Sequence, residues 1–381
     1  MSLLLVLSVW SCTRGGDGSG FEKVPEDRTV HIDLDRELGK EYSIFDFFES
    51  VEIIPLADSP AEALLNLDGS FPALFLNDNI LALESKRSYK IWSFDYEGNW
   101  TGEPVRRGRG GNEYTSAPDM CFDPYDNTLN IVNNTGTIYK YDVRDNFRFI
   151  RKIELNLRAT HGIEVAGDGI YLLYSVFSED MFLLYNEHEN SMTVLDYRLP
   201  LWLRPTPFTA SFPFYRDECG ARCRIGHDGS IYTVDTLRNR LVPYIGWDFG
   251  KYNFPSDRIT PDQDVEYYVR YALTKGRKIA SRFVSSDETD GKIYLQFYFD
   301  LDPCTLIYDS RTKEYKATGR TSEGVFIGMP GHIRDGAMYA FISPQELKDY
   351  INESVLDEHG REVLSSITED SNWVIVKYKL K

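Results

Sequence analysis

Short strands of alternating apolar and polar residues recur along the chain, each introduced by a turn that carries Asn, Asp or Gly. Alternation places every second side chain on one face, which indicates β-strands that are half-buried. The recurrence of one pattern at intervals of 41 to 62 residues indicates a repeated structural unit. The aliphatic residues that open the six copies are Ile80, Leu129, Ile170, Ile231, Ile293 and Met338.

A second strand follows most copies after a short turn, and in three copies it ends on an aspartate: Asp95, Asp142 and Asp309. An outer strand such as Phe147–Ile150 comes next, so each unit is predicted to be a four-stranded antiparallel meander. A single meander cannot bury both faces, whereas radial stacking of such units can. Six units therefore predict an all-β fold, a six-bladed β-propeller with four-stranded antiparallel blades.

Closure of a propeller requires a strand from one terminus to complete a blade begun at the other. Thr29–Leu34 and Val51–Leu56 precede the first repeat, and Trp373–Tyr378 alternates at the far end. The last unit is interrupted after Ser343, which we interpret as a helix N-cap followed by Pro344 at the first helical position. We expect one propeller over residues 28–381, with a small helical insertion at about 344–371 in the last blade.

The first 27 residues are predicted to be a lipoprotein signal and a flexible tether. The apolar run from Leu3 to Trp10 is too short to span a bilayer and ends in Ser11-Cys12, which resembles a bacterial lipobox. In such proteins the cysteine becomes the lipidated N-terminus, here Cys12. No basic residue precedes the run, so we expect the true start codon to lie upstream. The alternative is a buried N-terminal strand.

The charge balance excludes one class of partner. The net charge of -17 is the opposite of what phosphate neutralisation requires, so we expect no nucleic-acid partner. Aromatic residues make up 14% of the chain, which favours strands because such side chains pack well on a pleated surface.

Several segments resemble known propellers. Residues 227–236, followed by Asn-Arg-Leu at 239–241, resemble the NHL-type repeat. Residues 51–56, 107–114 and 244–250 are similar to the entry strand, the G-x-G-P-G-E-Y loop and the aromatic D-F-G strand of uncharacterised six-bladed propeller lipoproteins of Gram-negative gut bacteria. In the loop, Gly-Asn replaces the usual Pro-Gly. The resemblance implies fold and anchoring, and it implies no reaction.

The glycine-rich loop is one candidate binding site. Arg106, Arg107 and Arg109 lie among glycines and are followed by Glu113 and Tyr114. Glycines let backbone N–H groups approach an anion, and arginine binds carboxylate or phosphate. The G-K-[ST] ending of a P-loop is missing. The alternative is a tight connection between blades one and two, with the arginines paired to neighbouring acids.

A second candidate is an aromatic cluster in a proline-broken stretch that we predict to be a loop on the propeller rim. Trp202, Phe214 and Tyr215 could stack on a sugar or hold a peptide there. The alternative is a loop packed back on a blade edge. Cys219 and Cys223 form a C-x3-C pair that is either a local disulfide or two packed thiols.

No catalytic residues, metal or cofactor can be assigned. His161, His227 and His332 fall near innermost strands, but strand counting separates the extremes by roughly 20 Å along the channel, too far to share a metal. No G-x-S-x-G motif occurs. We expect a monomeric outer-membrane lipoprotein, periplasmic or surface-facing, that binds a glycan, peptide or protein partner through propeller-face loops and touches the membrane only through its lipid. The alternative is a lyase or hydrolase in the central channel.

Overall fold

A computed structural model describes residues 24–66, 72–84, 88–175, 181–195, 214–217, 220–225, 229–255, 274–329 and 331–381. The chain begins with segments that later join distant blades: β1 (Thr29–His31), α1 (Leu34–Leu38) and β2 (Phe48–Pro55). A short 3₁₀ turn at Glu26–Arg28 precedes them, one at Ile44–Asp46 lies between α1 and β2, and one at Ala61–Ala63 follows β2. Cys12 and Trp202 lie outside the described residues.

The strands that follow form six sheets around a central axis, so the predicted six-bladed propeller is confirmed. Blade one contains β3 (Ala73–Phe75), β4 (Ile80–Leu83), β5 (Ile91–Phe94) and β6 (Trp100–Gly102). Blade two contains β7 (Asp119–Asp123), β8 (Thr128–Val132), β9 (Thr137–Asp142) and β10 (Arg148–Glu154). Blade three contains β11 (Thr160–Gly167), β12 (Ile170–Ser175), β13 (Phe182–Asn186) and β14 (Ser191–Val194).

The remaining blades follow in chain order. Blade four contains β15 (Phe214–Asp217), β16 (Gly220–Ile225), β17 (Ser230–Asp235) and β18 (Arg240–Asp248), and a 3₁₀ turn at Gly250–Tyr252 follows it. Blade five contains β19 (Ala280–Thr289), β20 (Lys292–Phe299), β21 (Asp302–Asp309) and β22 (Tyr315–Thr318). Blade six contains β23 (His332–Arg334), β24 (Ala337–Ile342) and β25 (Val374–Leu380), completed by β2.

The repeated turns of the sequence join the first and second strands in five blades, and the second and third strands, β16 and β17, in blade four. In blade five, Asp290 and Gly291 both have positive φ, and in blade six Asp335 and Gly336 do the same. Two consecutive residues with positive φ are what the tight two-residue hairpin turn requires, because its twist then matches that of the strands. The aspartate and glycine of these turns are therefore selected by backbone geometry.

The ring closes through the N-terminal strand β2, which pairs antiparallel with β25 in blade six. Val51 lies opposite Tyr378 and Ile53 opposite Val376, all buried. Of the two entry strands considered, the second therefore makes the closure. The first, β1, adds to the outer edge of blade four as a parallel fifth strand beside β18, where His31 bonds Asp248 at 2.7 Å.

The helical insertion lies in blade six between β24 and β25. It consists of α2 (Leu347–Tyr350), a 3₁₀ turn at Glu353–Val355 and α3 (Glu358–Ser366). Residues 344–346 are turns, so the first helix begins later than the Ser343 cap predicted. Leu347 and Val355 pack into the apolar layer between blades five and six, which anchors the insertion to the propeller.

Candidate functional site

The innermost strands of all six blades surround a central channel that contains a cavity of about 300 Å³. Its wall mixes three kinds of side chain, which are the aromatic residues Phe75, Phe122, Phe214 and Tyr215, the acids Asp119, Glu164 and Asp287, and the bases Arg216, Arg224 and His332. A second cavity of about 490 Å³ shares Phe75 and His332 with the first and extends towards Arg144 and Arg334. The channel is thus polar and open at the end where the hairpin turns lie.

Two channel aspartates each connect one blade to the next. Asp119 of blade two accepts hydrogen bonds from the backbone N–H groups of Met120 and Ile163, both at 2.9 Å, and Ile163 belongs to blade three. Asp287 of blade five accepts from Glu288 and from Ile333 of blade six, both at 2.8 Å. A carboxylate on the innermost strand therefore satisfies backbone donors that no neighbouring strand can reach.

Burial raises the pKa values of these acids towards neutral pH. Desolvation raises the pKa of Asp119 to about 8 and that of Asp287 to about 7, because the charged form loses its hydration in the channel wall. Desolvation also raises the pKa of Glu164 to about 7, and the nearby Arg216 opposes that rise. Glu164 accepts one backbone hydrogen bond from Val165, through Oε1, at 2.8 Å.

Two arginines perform the complementary task and bind backbone carbonyls of the neighbouring blade. Arg216 of blade four donates to the carbonyl of Val165 in blade three at 2.6 Å. Arg334 of blade six donates to the carbonyl of Phe75 in blade one at 2.7 Å. With the two aspartates, these contacts fasten four of the six blade junctions from inside the channel.

His332 lies at the point where the two cavities meet. Its imidazole stacks on Phe75 with ring centroids 5.3 Å apart and planes 12° from parallel. Desolvation and the adjacent Arg334 lower its pKa, so the ring is neutral at neutral pH. Within the described part of the chain, no group of three or more His, Cys, Asp or Glu side chains is placed to hold a metal ion.

The inner part of the junction between blades four and five is polar. Tyr215 of β15 lies opposite Arg222 of β16, and electrostatic interactions link Tyr215 to Arg222 and to Glu288 of β19. Arg222 bonds Asp217 at 2.7 Å and Thr233 at 2.9 Å. Arg224, further along the same strand, is 2% exposed, and desolvation lowers its pKa to about 10.

The glycine-rich loop forms the connection between blades one and two and does not line the channel. Arg107 donates to the carbonyls of Thr115 and Ser88, both at 2.9 Å. Tyr114 is fully buried and donates to the carbonyl of Tyr89 at 2.7 Å. The loop thus has the contacts of a structural connection.

The acid of this loop also faces inwards. The carboxylate of Glu113 accepts the backbone N–H of Gly110 at 2.7 Å and covers Gly108, where an added Cβ would lie 1.9 Å from its oxygen. Glu113 therefore fills the concave side on which an anion would have bound. Arg106 and Arg109 are exposed on the outside of the loop.

Phe214 and Tyr215 lie on β15, the innermost strand of blade four, and both line the channel. The prediction of a rim loop was therefore wrong for these two residues. Phe214 packs edge-on against Tyr174 and Phe182 of blade three, with ring centroids 6.2 and 6.1 Å apart. Cys223, which pairs with Phe214 across the strands, is a free buried thiol, and Cys219 lies outside the described residues.

A model of a domain of unknown function (DUF4934) matches residues 29–379. The chain belongs to this family. No curated protein matches it. The family match covers all six blades and the closing strand.

Two solved structures share this fold. One is a protein of Bacteroides fragilis NCTC 9343 that bears the name "Putative exported protein", with 17% identity, a TM-score of 0.72, and coverage of 93% of this chain and 99% of that one. The other is a member of the DUF4221 family from Bacteroides vulgatus ATCC 8482, with 11% identity, a TM-score of 0.56, and coverage of 88% and 97%. At these identities the likeness shows the propeller alone.

Sequence reasoning about this DUF4934 chain missed most of the channel wall. The channel residues Asp119, Glu164, Arg224 and Asp287 were not predicted as site residues. They share one signal, since each lies in the strand that immediately precedes a repeated turn. In five of the blades that strand is the innermost one, and in blade four it is β16, the second strand, so charged residues within it face the channel or the adjoining blade junction.

Proposed function

We propose that this protein is a lipoprotein of the bacterial cell envelope whose propeller binds a small polar ligand in its central channel. The observation that carries the binding role is the cavity of about 300 Å³ lined by all six blades, in which aromatic faces alternate with buried ionisable groups. Small-molecule sites in proteins are concave, largely pre-formed and lined by apolar side chains with a few convergent polar groups. The channel fits that description better than the glycine-rich loop does.

A lipid on Cys12 would hold the propeller at the membrane, most simply at the outer membrane. The support is the apolar run that ends in Ser11-Cys12, together with the name of the similar Bacteroides protein, which refers to export. In the described part of the chain, no helix has the length and apolar character that a membrane crossing requires. Anchoring would therefore depend on the lipid.

Fractionation of cells tests the anchor. The protein expressed from its own gene should sediment with membranes, and Cys12→Ala should release it into the soluble fraction, whereas Thr13→Ala should not. Membrane association of the Cys12→Ala protein would refute lipid anchoring. Size-exclusion chromatography with light scattering of the tetherless protein, which lacks residues 1–27, should give the mass of a monomer.

A channel-filling variant tests the binding role. Val284 lines the channel on β19 and is only partly buried, so Val284→Trp should occupy the cavity. The matched control is Val194→Trp, because Val194 is 47% exposed on the outermost strand of blade three. Any ligand found by a metabolite screen should bind the wild type and the control, and it should not bind Val284→Trp. Equal binding by all three proteins would show that the channel is not the site.

A hydrolase or lyase in the same channel is the second candidate, and the raised pKa values of the channel acids favour it. A general acid or base works best when its pKa lies near the working pH. Both oxygens of Asp119 and Asp287 already accept backbone hydrogen bonds, so Glu164 is the acid we would assign to such a step. Turnover of a chromogenic substrate panel that is abolished by Glu164→Gln would establish it, and turnover unchanged in that variant would exclude it.

A further inference from the structure

Four buried polar atoms without a hydrogen-bond partner among the described residues occur in the junction between blades four and five. They are Tyr215 Oη, Arg222 Nε, Ser286 Oγ and Glu288 Oε2. A buried polar group that is left unsatisfied destabilises the folded protein, because it has lost its hydrogen bonds to water. Such a concentration in one junction indicates a place that a polar guest completes. We call these four side chains the junction cluster.

The junction cluster is held in position by bonds on its far side. Arg222 is fixed by Asp217 at 2.7 Å and by Thr233 at 2.9 Å, and its guanidinium lies 4.3 Å from the ring centroid of Tyr244. Tyr244 in turn donates to Glu288 Oε1 at 2.8 Å, which leaves Oε2 for another donor. The side chains are thus preorganised, so little conformational entropy would be lost when a guest binds.

The junction cluster adjoins the central channel. Tyr215 and Ser286 both line the cavity of about 300 Å³, together with Arg224. Arg222 and Glu288 stand behind them in the junction and are linked to Tyr215 electrostatically. A ligand in the channel would meet the side chains of Tyr215 and Ser286 first, with a donor and an acceptor behind them in the junction.

The chemistry of the cluster selects the kind of guest. Arg222 Nε can only donate, an ionised Glu288 Oε2 can only accept, and the two hydroxyls can do either. A carboxylate or phosphate would place acceptors against Glu288, and an ammonium group would place donors against Arg222. Hydroxyl groups donate and accept at once. The formal charges are also balanced once Arg224 is included, since Arg222 and Arg224 match the two acids Asp217 and Glu288.

We propose that the ligand of the channel is a neutral saccharide unit whose hydroxyl groups bind the junction cluster through Tyr215 and Ser286. This inference rests on the proposed binding function of the channel. The cavity is at the small end of the range for ligand sites, which suits a single sugar ring. Phe75, Phe122 and Phe214 line the same cavity and supply apolar aromatic surface for the C–H face of a sugar.

The test uses a panel of defined probes on the folded tetherless protein. The panel contains neutral methyl glycosides of hexoses and N-acetylhexosamines, the corresponding hexuronic acids, unacetylated hexosamines and inorganic phosphate. Saturation-transfer NMR identifies binders and calorimetry measures their affinity. At least one neutral glycoside should bind the wild type more tightly than the acid or the amine of the same ring.

Two variants and one control locate the contact. Tyr215→Phe and Ser286→Ala should each weaken the neutral glycoside about 3- to 10-fold, the loss expected for one hydrogen bond. Neither should lower the melting temperature of the free protein, because each removes a hydroxyl that has no partner among the described residues. Tyr141→Phe is the control, since its hydroxyl bonds the carbonyl of Asn112 in the glycine-rich loop. This control should leave the affinity unchanged.

Three results would overturn the inference. They are the absence of binding by every neutral glycoside, a preference for the charged probes, and affinities unchanged in Tyr215→Phe and Ser286→Ala, which would mean that only ordered water fills the junction. The proposed binding function is judged separately by Val284→Trp. A charged ligand that this variant excludes would refute the saccharide and leave the channel as a binding site.

Discussion

Replacement of Asp119 by asparagine tests whether the channel acids are held near neutrality by burial. The wild-type carboxyl has a pKa of about 8 in the folded protein against an ordinary value of 3.8, because desolvation penalises its charge. A raised pKa in the folded state stabilises the protein fully below the unfolded pKa, and that contribution is lost as the pH rises through the folded pKa. The wild type should therefore lose stability between pH 4 and pH 8 by about 1.4 kcal/mol per pH unit.

Asparagine is nearly isosteric and does not titrate. Its carbonyl can still accept the N–H of Ile163 from blade three, but its amide nitrogen would face the N–H of Met120. The lost bond gives a constant penalty of about 1–2 kcal/mol. The variant should thus be less stable than the wild type at pH 4 and equally stable at roughly pH 5. Between pH 5 and pH 7, its free energy of unfolding should rise by about 2.7 kcal/mol relative to that of the wild type.

Urea unfolding of both proteins at pH 5, 6 and 7 measures the difference between their free energies of unfolding. The other titrating groups are present in both proteins, so their contributions cancel in this difference. Glu164 is the exception, because it faces Asp119 and raises its pKa further once it ionises near pH 7. The range below pH 7 is therefore the cleanest. Asp370→Asn, in an exposed turn, is the control. A difference between Asp119→Asn and the wild type that stays flat with pH would refute the reasoning.

Two further predictions concern the closure of the ring and its turns. Ile375 is fully buried in β25, the strand on which β2 closes the ring, so Ile375→Ala should reduce the free energy of unfolding measured in urea by about 2–5 kcal/mol, whereas Ile150→Ala, at 43% exposure, should cost little. Gly229 has a φ of +70° and an added Cβ would lie 2.4 Å from the ring of Phe283, so Gly229→Ala should cost about 2–5 kcal/mol. Gly336→Ala, with a φ of +72° and open space, should cost only about 1–2 kcal/mol, and equal losses for the two glycines would contradict this account.

The sequence predicted the propeller because its information is local. Alternation with a period of two and turns such as Asp290-Gly291 specify each hairpin within a few residues, and repetition then specifies the ring. Pairings between distant residues were harder. The antiparallel closure of β2 on β25 was predicted among two candidates, but nothing local indicates that Val30 of β1 lies in parallel beside Trp247 on the edge of blade four.

The contacts of the candidate site residues could not be predicted from the sequence, and the glycine-rich loop shows why. Arginines among glycines suggest an anion site, yet in the folded protein Glu113 occupies the concave side and Arg107 binds carbonyls of its own surroundings. Sequence can show that donors and acceptors are present, but it cannot show which of them are already satisfied. The same limit applies to the channel, where Asp119 is bound by two backbone donors while Ser286 has a hydroxyl without a partner among the described residues.

Whether a polar group already has a hydrogen-bond partner separates the structural groups of the channel from those available to a ligand. A polar group that is already paired gains little from a guest, because a ligand must break one bond to form another. Asp119, Asp287 and Arg334 are of this kind, and they fasten neighbouring blades. Tyr215 and Ser286 gain a bond and lose none. The proposed saccharide site therefore lies where two hydroxyls of one junction have no partner among the described residues, although the more strongly charged residues surround the whole channel.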